Sequence, residues 1–336
     1  MVKQIVTGGA GTLALSAARA LLEHGASAVA LFDLDSTLQS SHESIHSLKV
    51  DFPHAQVITK AVDVTDEATV EEAFMIMGET LKSIDLLVCF AGIVGCVDAI
   101  DTTPTQWRKT IDVNTTGSFL CAQAAAKRMK QQATGGSIVL TASISAHRVN
   151  FPQPQAAYNV SKAAIVAMKS SLAAEWAIHG IRVNSISPGY MNTVLNEGPG
   201  LEEARQSWAS RNPMGRMGAV GELDGMVVLL CSRAGSYING ADMVIDGKSC
   251  CPQRNVTTTT AILMYIRWCH RVLAKILICI FVVGNQSRAR CRTRCVKNWT
   301  AHRDLPPPMS WPSCYLISMH NRKFKKNKSG DSPCIH

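Results

Sequence analysis

The sequence predicts an α/β fold of three layers. A doubly wound parallel sheet lies between two layers of helices, as a single domain followed by an irregular C-terminal extension. Three observations carry this. Six or seven short apolar runs alternate with stretches of helical periodicity, the pattern of β-α-β crossovers that cover both faces of a parallel sheet. The first run leads directly into a glycine-rich turn and a helix. Gly8, Asp33, Asp63, Gly92, Ser143 and Pro188 fall at or just past the ends of successive runs, where such sheets bind ligands.

Residues 2–6 form the first run, ending in Thr7-Gly8-Gly9-Ala10-Gly11. Leu13, Ala17, Leu21 and Leu22 then recur at helical spacing up to Gly25, a helix stop. The backbone N–H groups of such a turn, with the helix N-terminus behind them, face a phosphate; a tight turn into a packed helix is the plainer alternative. The run over 28–32 ends on Asp33, about 20 residues beyond the turn. A carboxylate there accepts hydrogen bonds from an adenosine ribose and repels a 2′-phosphate; the alternative is an Asp that caps a turn. A third run, 55–58, leads to Asp63-Val64, and a polar, Glu-rich helix is expected over 66–81. The strand over 85–90 closes on Ala91-Gly92, small residues that let backbone approach a flat ring or simply turn tightly. A helix over 104–130 carries Asn114 in its middle. Asparagine is a poor helix-interior residue, so it either bends the helix or bonds to something specific.

The strand over 137–142 delivers Ser143, and a helix from about Gln155 to His179 places Tyr158 and Lys162 on one face, one turn apart. An unperturbed tyrosine titrates near 10. Bringing it to about 7 takes ~3 pKa units, or ~4 kcal/mol, in favour of the phenolate. A fixed neighbouring cation is the direct way to supply that. Tyr-x-x-x-Lys alone is a short motif that arises by chance; its place beyond a strand end gives it weight. The sixth strand, 182–186, ends at Pro188-Gly189-Tyr190-Met191-Asn192-Thr193. From there to Met217 the chain is rich in Gly, Pro and polar residues, with one short helical pattern over 202–208, and reads as a lid. A helix over 221–231 and a last strand over 242–245 complete the body.

The chain has 336 residues, 46% hydrophobic, and a net charge of +9, enough for a substantial core. Its charge is unevenly placed. Residues 251–336 hold 15 Lys and Arg against Asp304 and Asp331, while the remainder holds 19 basic and 23 acidic residues. The basic character belongs to the tail, and the body gives no reason to expect a nucleic-acid partner. The division predicts a domain over 1–250 and a basic, Cys-rich tail over 251–336 outside the fold, disordered or foreign to it. Within the tail, 261–283 is apolar but interrupted by Arg267, Arg271 and Lys275. A membrane contact there stands as the lesser reading. Cys291-x-x-x-Cys295 with His302 is a weak metal pattern. The five cysteines of the body, Cys89, Cys96, Cys121, Cys231 and Cys250, lack paired spacing and read as buried reduced thiols. With an apolar strand and glycine turn at the very start, the body reads as cytoplasmic.

Taken in order, Thr7-Gly8-Gly9-Ala10-Gly11, Asp63-Val64, Ala91-Gly92, Asn114, Ser143, Tyr158-x-x-x-Lys162 and Pro188-Gly189 resemble the motifs of the short-chain dehydrogenase/reductase family over residues 1–247. The segment VNFPQPQAAYN, 149–159, is similar to its fungal polyol and ketose branch of mannitol, arabinitol and sorbose-type enzymes. The resemblance implies a Rossmann-like fold and hydride transfer between a nicotinamide cofactor and a secondary alcohol or ketone. The substrate would be a polyol or ketose, or a secondary-metabolite ketone. It implies Tyr158 as general acid/base, Lys162 lowering its pKa and holding the nicotinamide ribose, Ser143 binding the substrate oxygen, and Asn114 supporting a water-mediated proton path to Lys162. Ser145, 13 residues before Tyr158, is the runner-up serine. The implied cofactor-binding set is Gly8, Leu13, Asp33, Asp63, Val64, Gly92, Asn114, Tyr158, Lys162, Pro188, Gly189, Met191 and Thr193, with no metal. Asp33, and a glycine turn without arginine, favour NAD over NADP. A homodimer or homotetramer built on the Tyr158 helix and its neighbour is also implied.

The chain departs from the family pattern at three places. Thr12 and Ala14 stand where the glycine turn carries its second and third glycines, and a Cβ there crowds the pyrophosphate or the helix–strand contact. Cys89-Phe90 replaces two asparagines, and Lys248 replaces the last glycine of a closing V-D-G-G. These departures keep a second reading open: a binding or regulatory protein that retained the fold with weakened catalysis.

Overall fold

A computed structural model of the chain describes residues 2–149, 153–193, 196 and 201–248. Seven strands, β1 (Val2–Thr7), β2 (Ala26–Asp33), β3 (Gln56–Ala61), β4 (Leu86–Cys89), β5 (Gly136–Thr141), β6 (Ile181–Pro188) and β7 (Asp242–Ile245), form one sheet in the order β3-β2-β1-β4-β5-β6-β7. Every pairing is parallel. The order reverses between β1 and β4, the switch point at which two crossovers part and leave a crevice. Register sets what meets there: Thr7 pairs with both Phe32 and Cys89, so β1, β2 and β4 end at one level.

Alternation along the strands sends successive side chains to opposite faces. Ile5, Phe32, Leu87 and Ile138 join one core cluster. It is covered by α4 (Glu67–Leu81), α6 (Gly117–Gln132) and α7 (Ala156–Trp176), with Phe32 meeting Phe74 edge-on at 5.4 Å. Val6, Val29, Leu31 and Val88 face the other cluster, packed under α1 (Thr12–Glu23), α3 (His42–Asp51) and α9 (Asp224–Cys231). The start of α4 follows from its sequence: the Asp66 carboxylate accepts the N–H groups of Ala68 and Thr69, an N-cap worth about 1 kcal/mol.

Two expectations change. The single helix expected over 104–130 is broken into α5 (Pro104–Ile111), a π-helical turn (Asp112–Thr116) and α6. Two helices also separate β2 from β3, α2 (Asp35–Ser40) and α3, which the sequence reading did not foresee. Of these, α2 buries no residue and α3 only Ile45 and Leu48, too few to give an apolar period. The helix expected over 202–208 is α8 (Glu202–Ser210). Of the body cysteines, Cys89 and Cys121 are buried and Cys231 half-buried as free thiols, while Cys96 is exposed. The readings placed on Cys250 and on 251–336, including 261–283 and the pair Cys291/Cys295 with His302, lie outside the described residues. Among the described residues no helix is long and apolar enough to cross a membrane.

One buried residue in the sheet works against stability. Gln4, in the middle of β1, is fully buried, and neither Oε1 nor Nε2 finds a partner among the described residues. A buried amide without hydrogen bonds costs about 1–3 kcal/mol. Gln4→Met, which keeps the volume and removes the polar atoms, is therefore expected to raise unfolding free energy by about 1–2 kcal/mol. A urea melt should show a higher midpoint at unchanged slope.

Candidate active site

A cleft of about 1750 Å³ opens beyond the C-terminal ends of the strands. Gly8, Leu13, Asp33, Asp63, Val64, Gly92, Ser143, Tyr158, Lys162, Pro188, Gly189, Met191 and Thr193 all line it. Asn114 does not line it; it sits behind the wall, fully buried.

The turn after β1 is shaped by close approach. Gly8 has φ +64°, and a Cβ on it would come 2.6 Å from the Ala91 nitrogen, so only glycine fits between β1 and the end of β4. The Asp33 carboxylate braces the turn: Oδ2 accepts the Ala10 N–H at 3.1 Å and Oδ1 the Leu34 N–H at 2.8 Å. Each oxygen keeps a further lone pair. Behind the turn, α1 begins with no side chain capping its first N–H groups, donors otherwise left for an anion. Of the two lost glycines, Ala14 is packed wholly into the core and Thr12 is exposed at the cleft mouth. At the far end of β7, Lys248 takes φ +67° where a glycine is usual, and its N–H donates to Asp246 Oδ1 at 2.8 Å.

The π-helical turn explains Asn114. Its Oδ1 accepts the Ile93 N–H at 2.8 Å, and its Nδ2 donates to the Ile93 carbonyl at 2.9 Å and to Ser161 Oγ at 2.9 Å. The amide therefore replaces a missing strand partner for the segment after β4 and ties it to α7. Both hydrogens are spent, so a proton path through this residue is left with its main-chain carbonyl, which accepts from Ser118 Oγ at 2.7 Å. Of the two alternatives for Asn114, a bend or a specific bond, the bond is present.

Lys162 is buried, its Nζ donating to the Thr141 carbonyl at 2.8 Å and standing 5.7 Å from the Tyr158 ring centre. Gly92 leaves room for it, since a Cβ there would lie 3.4 Å from Nζ and 3.2 Å from Asn114 Oδ1. Burial holds Lys162 down to about 8. The Tyr158 phenol is pushed above its ordinary value by burial, and its hydrogen bond with Ser143 pulls the other way. The lysine is not among the groups that lower it. A neighbouring cation is the expected means of lowering the phenol, but in this geometry burial sets the direction.

Of the two serines, Ser143 is the one whose hydroxyl pulls the phenol's value down. Ser143 Oγ accepts the Ser145 N–H at 3.1 Å, and the Ser145 hydroxyl accepts from Gln155 Nε2 at 3.2 Å. Across the cleft, Tyr190 after β6 and Trp208 on α8 stack at 4.4 Å and 8°, and both hydrogen-bond to Gln153. Gln153, Gln155 and Trp208 carry no site role in the sequence reading; the only signal for the first two is the Gln-Pro-Gln that precedes the Tyr158 helix.

A model of the family described as enoyl-(acyl carrier protein) reductase matches residues 8–247. The chain is a short-chain dehydrogenase/reductase. It is 38% identical over 255 residues to a D-arabinitol 2-dehydrogenase (ribulose-forming) of Scheffersomyces stipitis, covering 72% of this chain and 91% of that one. It is 36% identical over 251 residues to an NADP-dependent mannitol dehydrogenase of Alternaria alternata, covering 73% and 91%. The crystal structure of a short-chain type dehydrogenase/reductase from Mycobacterium marinum superposes with a TM-score of 0.68 at 37% identity, over 75% of this chain and 96% of that one. As a member of the family, this short-chain dehydrogenase/reductase is an oxidoreductase that uses a nicotinamide cofactor. The residues present fit that group: a glycine cradle that a Cβ would fill, uncapped N–H groups on α1, and a carboxylate with lone pairs to spare.

Proposed function

We propose that this dehydrogenase interconverts a polyol and its ketose, with a secondary-metabolite ketone as the alternative substrate, using Tyr158 as the acid/base. The single observation that carries the reading is that Ser143, Tyr158 and Lys162 line the same cleft, with Lys162 Nζ 5.7 Å from the Tyr158 ring centre. In the reducing direction the Tyr158 hydroxyl gives its proton to the substrate oxygen as that oxygen gains charge. Ser143 hydrogen-bonds the same oxygen, and Lys162 steadies the phenolate left behind. Asn114 acts as a positioning residue by fixing the segment after β4. When bound, the nicotinamide cofactor supplies the hydride and, oxidised, a positive ring. Its pyrophosphate would lie on Gly8 to Leu13, its adenine beside Asp63 and Val64, and its nicotinamide end between Gly92, Lys162 and the segment Pro188, Gly189, Met191 and Thr193.

NAD is the proposed cofactor. Asp33 offers a carboxylate where a 2′-phosphate would sit, and the neighbouring lining residues Leu34, Thr37, Ser40 and Ser41 carry no positive charge. The relative from Alternaria is NADP-dependent, so NADP is the competing assignment. Oxidation of reduced cofactor, followed at 340 nm with a panel of ketoses, tests both points. The expected result is ketose-dependent turnover with NADH favoured about 10-fold or more, and Asp33→Ala narrowing that preference. Turnover with NADPH alone would overturn the cofactor assignment, and bound cofactor without turnover would leave the non-catalytic binding reading.

The catalytic unit is proposed to end near residue 250, since the family match stops at 247. Self-association is proposed through α7, where Val160, Ala163, Ala167 and Ala174 are exposed.

A further inference from the structure

We infer that Gln153 is a specificity residue that donates an amide hydrogen bond to a substrate hydroxyl beside the reacting carbon, its amide held in one orientation by Tyr190 and Trp208. The inference rests on the polyol/ketose reading of the cleft and deepens it. An indole N–H can only donate. The atom that Trp208 Nε1 approaches at 3.3 Å must therefore be the amide oxygen of Gln153. The same oxygen accepts the Tyr190 hydroxyl at 2.5 Å, so both its lone pairs are used. Burial pushes the Tyr190 phenol up to about 12, which keeps its proton in place as a donor. The two donors are themselves locked, because their rings stack face to face and Trp208 is buried.

The consequence lies on the other end of the amide. Gln153 lines the cleft and is only half-buried, and its Nε2 makes no hydrogen bond among the described residues. Gln155, two positions on, is the instructive contrast. Its Nε2 already gives hydrogen bonds to Ser145 Oγ at 3.2 Å and to Asn159 Oδ1 at 3.1 Å, so it positions Ser145 and has no donor to offer. Gln153 stands five residues before Tyr158 on the same segment. Its two N–H groups are thus an oriented donor pair in the cleft that Tyr158 also lines, with nothing in the described protein to take them. A ligand oxygen satisfies them; a hydrocarbon in the same place strips them of water and leaves them unpaired, which is how a polar site rejects a deoxy analogue.

The test measures binding, so it does not depend on turnover. In the full chain carrying Tyr158→Phe and loaded with NADH, D-fructose and 2-hexanone are titrated calorimetrically, before and after adding Gln153→Met. The second ligand keeps the carbon chain and carbonyl position but has no hydroxyls. The expected result is a Kd for D-fructose raised about 10- to 100-fold, with that for 2-hexanone unchanged within about twofold. Trp208→Phe keeps the ring stack and removes the N–H that orients the amide, and should raise the D-fructose Kd by a smaller factor in the same direction. Equal changes for both ligands, no change in either variant, or a parent that binds 2-hexanone as tightly as D-fructose would overturn the inference. A wild-type chain with no ketose-dependent turnover would remove the catalytic reading and leave this comparison to stand or fall by itself.

Discussion

Tyr158→Phe is expected to lower kcat by about 10²- to 10⁴-fold while leaving cofactor affinity within a few-fold of wild type. The ring fills the same space, so α7 and the cleft wall keep their packing. What disappears is the hydroxyl and, with it, the group proposed to exchange a proton with the substrate oxygen there. Ser143 cannot substitute, because a serine hydroxyl has no means of ionising near neutral pH in this setting. Steady-state rates and fluorescence titration with NADH separate the two quantities. A variant that loses cofactor binding and rate together would point to a structural role for the phenol.

Lys162→Met should have two opposite effects, a loss of activity of about 10²-fold or more and a gain in stability at neutral pH. The wild-type ammonium is buried, and burial holds it down to about 8 from an ordinary value near 10.5. A cation whose folded value lies below its unfolded one destabilises the fold below both values. Between about 8 and 10.5 the unfolded chain binds the extra proton, so this group's contribution improves as pH rises through that window. The penalty at pH 7 is on the order of 3 kcal/mol. It is partly offset in the variant, where the Thr141 carbonyl loses the donor it has at 2.8 Å, a loss of about 1–2 kcal/mol. The sign of the pH dependence is therefore the sharper test. The stability advantage of Lys162→Met over wild type should be largest at pH 7 and shrink by about 2 kcal/mol by pH 10 in paired urea melts. An advantage independent of pH would mean that burial does not shift the lysine, folded and unfolded chains binding its proton alike. Destabilising a scaffold in order to hold a cation where chemistry needs it is a common exchange.

Much of this site is legible in the sequence because topology does the gathering. Apolar runs set the strands, parallel crossovers send their C-terminal ends to one edge, and Gly8, Asp33, Gly92, Ser143 and Pro188 arrive there for that reason. Asn114 announces itself as a polar residue in a helix interior, and the structure answers with a π-helical turn and three hydrogen bonds. Other features have no local signal. The depth at which Tyr158 is buried, which decides the sign of its shift, depends on the wall formed around it by distant segments. The Gln153 clamp joins residues 37 and 55 positions apart, so no spacing rule reveals it. The pair α2 and α3 escaped because helices that bury almost nothing leave no period to read.

The most direct test of the account follows the ionisation of one phenol. Tyrosinate absorbance near 295 nm is titrated for wild type and Tyr158→Phe, each with and without NAD⁺, and the difference isolates residue 158. Without cofactor, Tyr158 should ionise above the ordinary 10, as its burial requires. With the cofactor's positive ring beside it and Lys162 below, it should ionise below 10, in the range where a proton can move at working pH. A phenol that stays above 10 in both states would contradict the assignment of Tyr158 as the group that carries the proton.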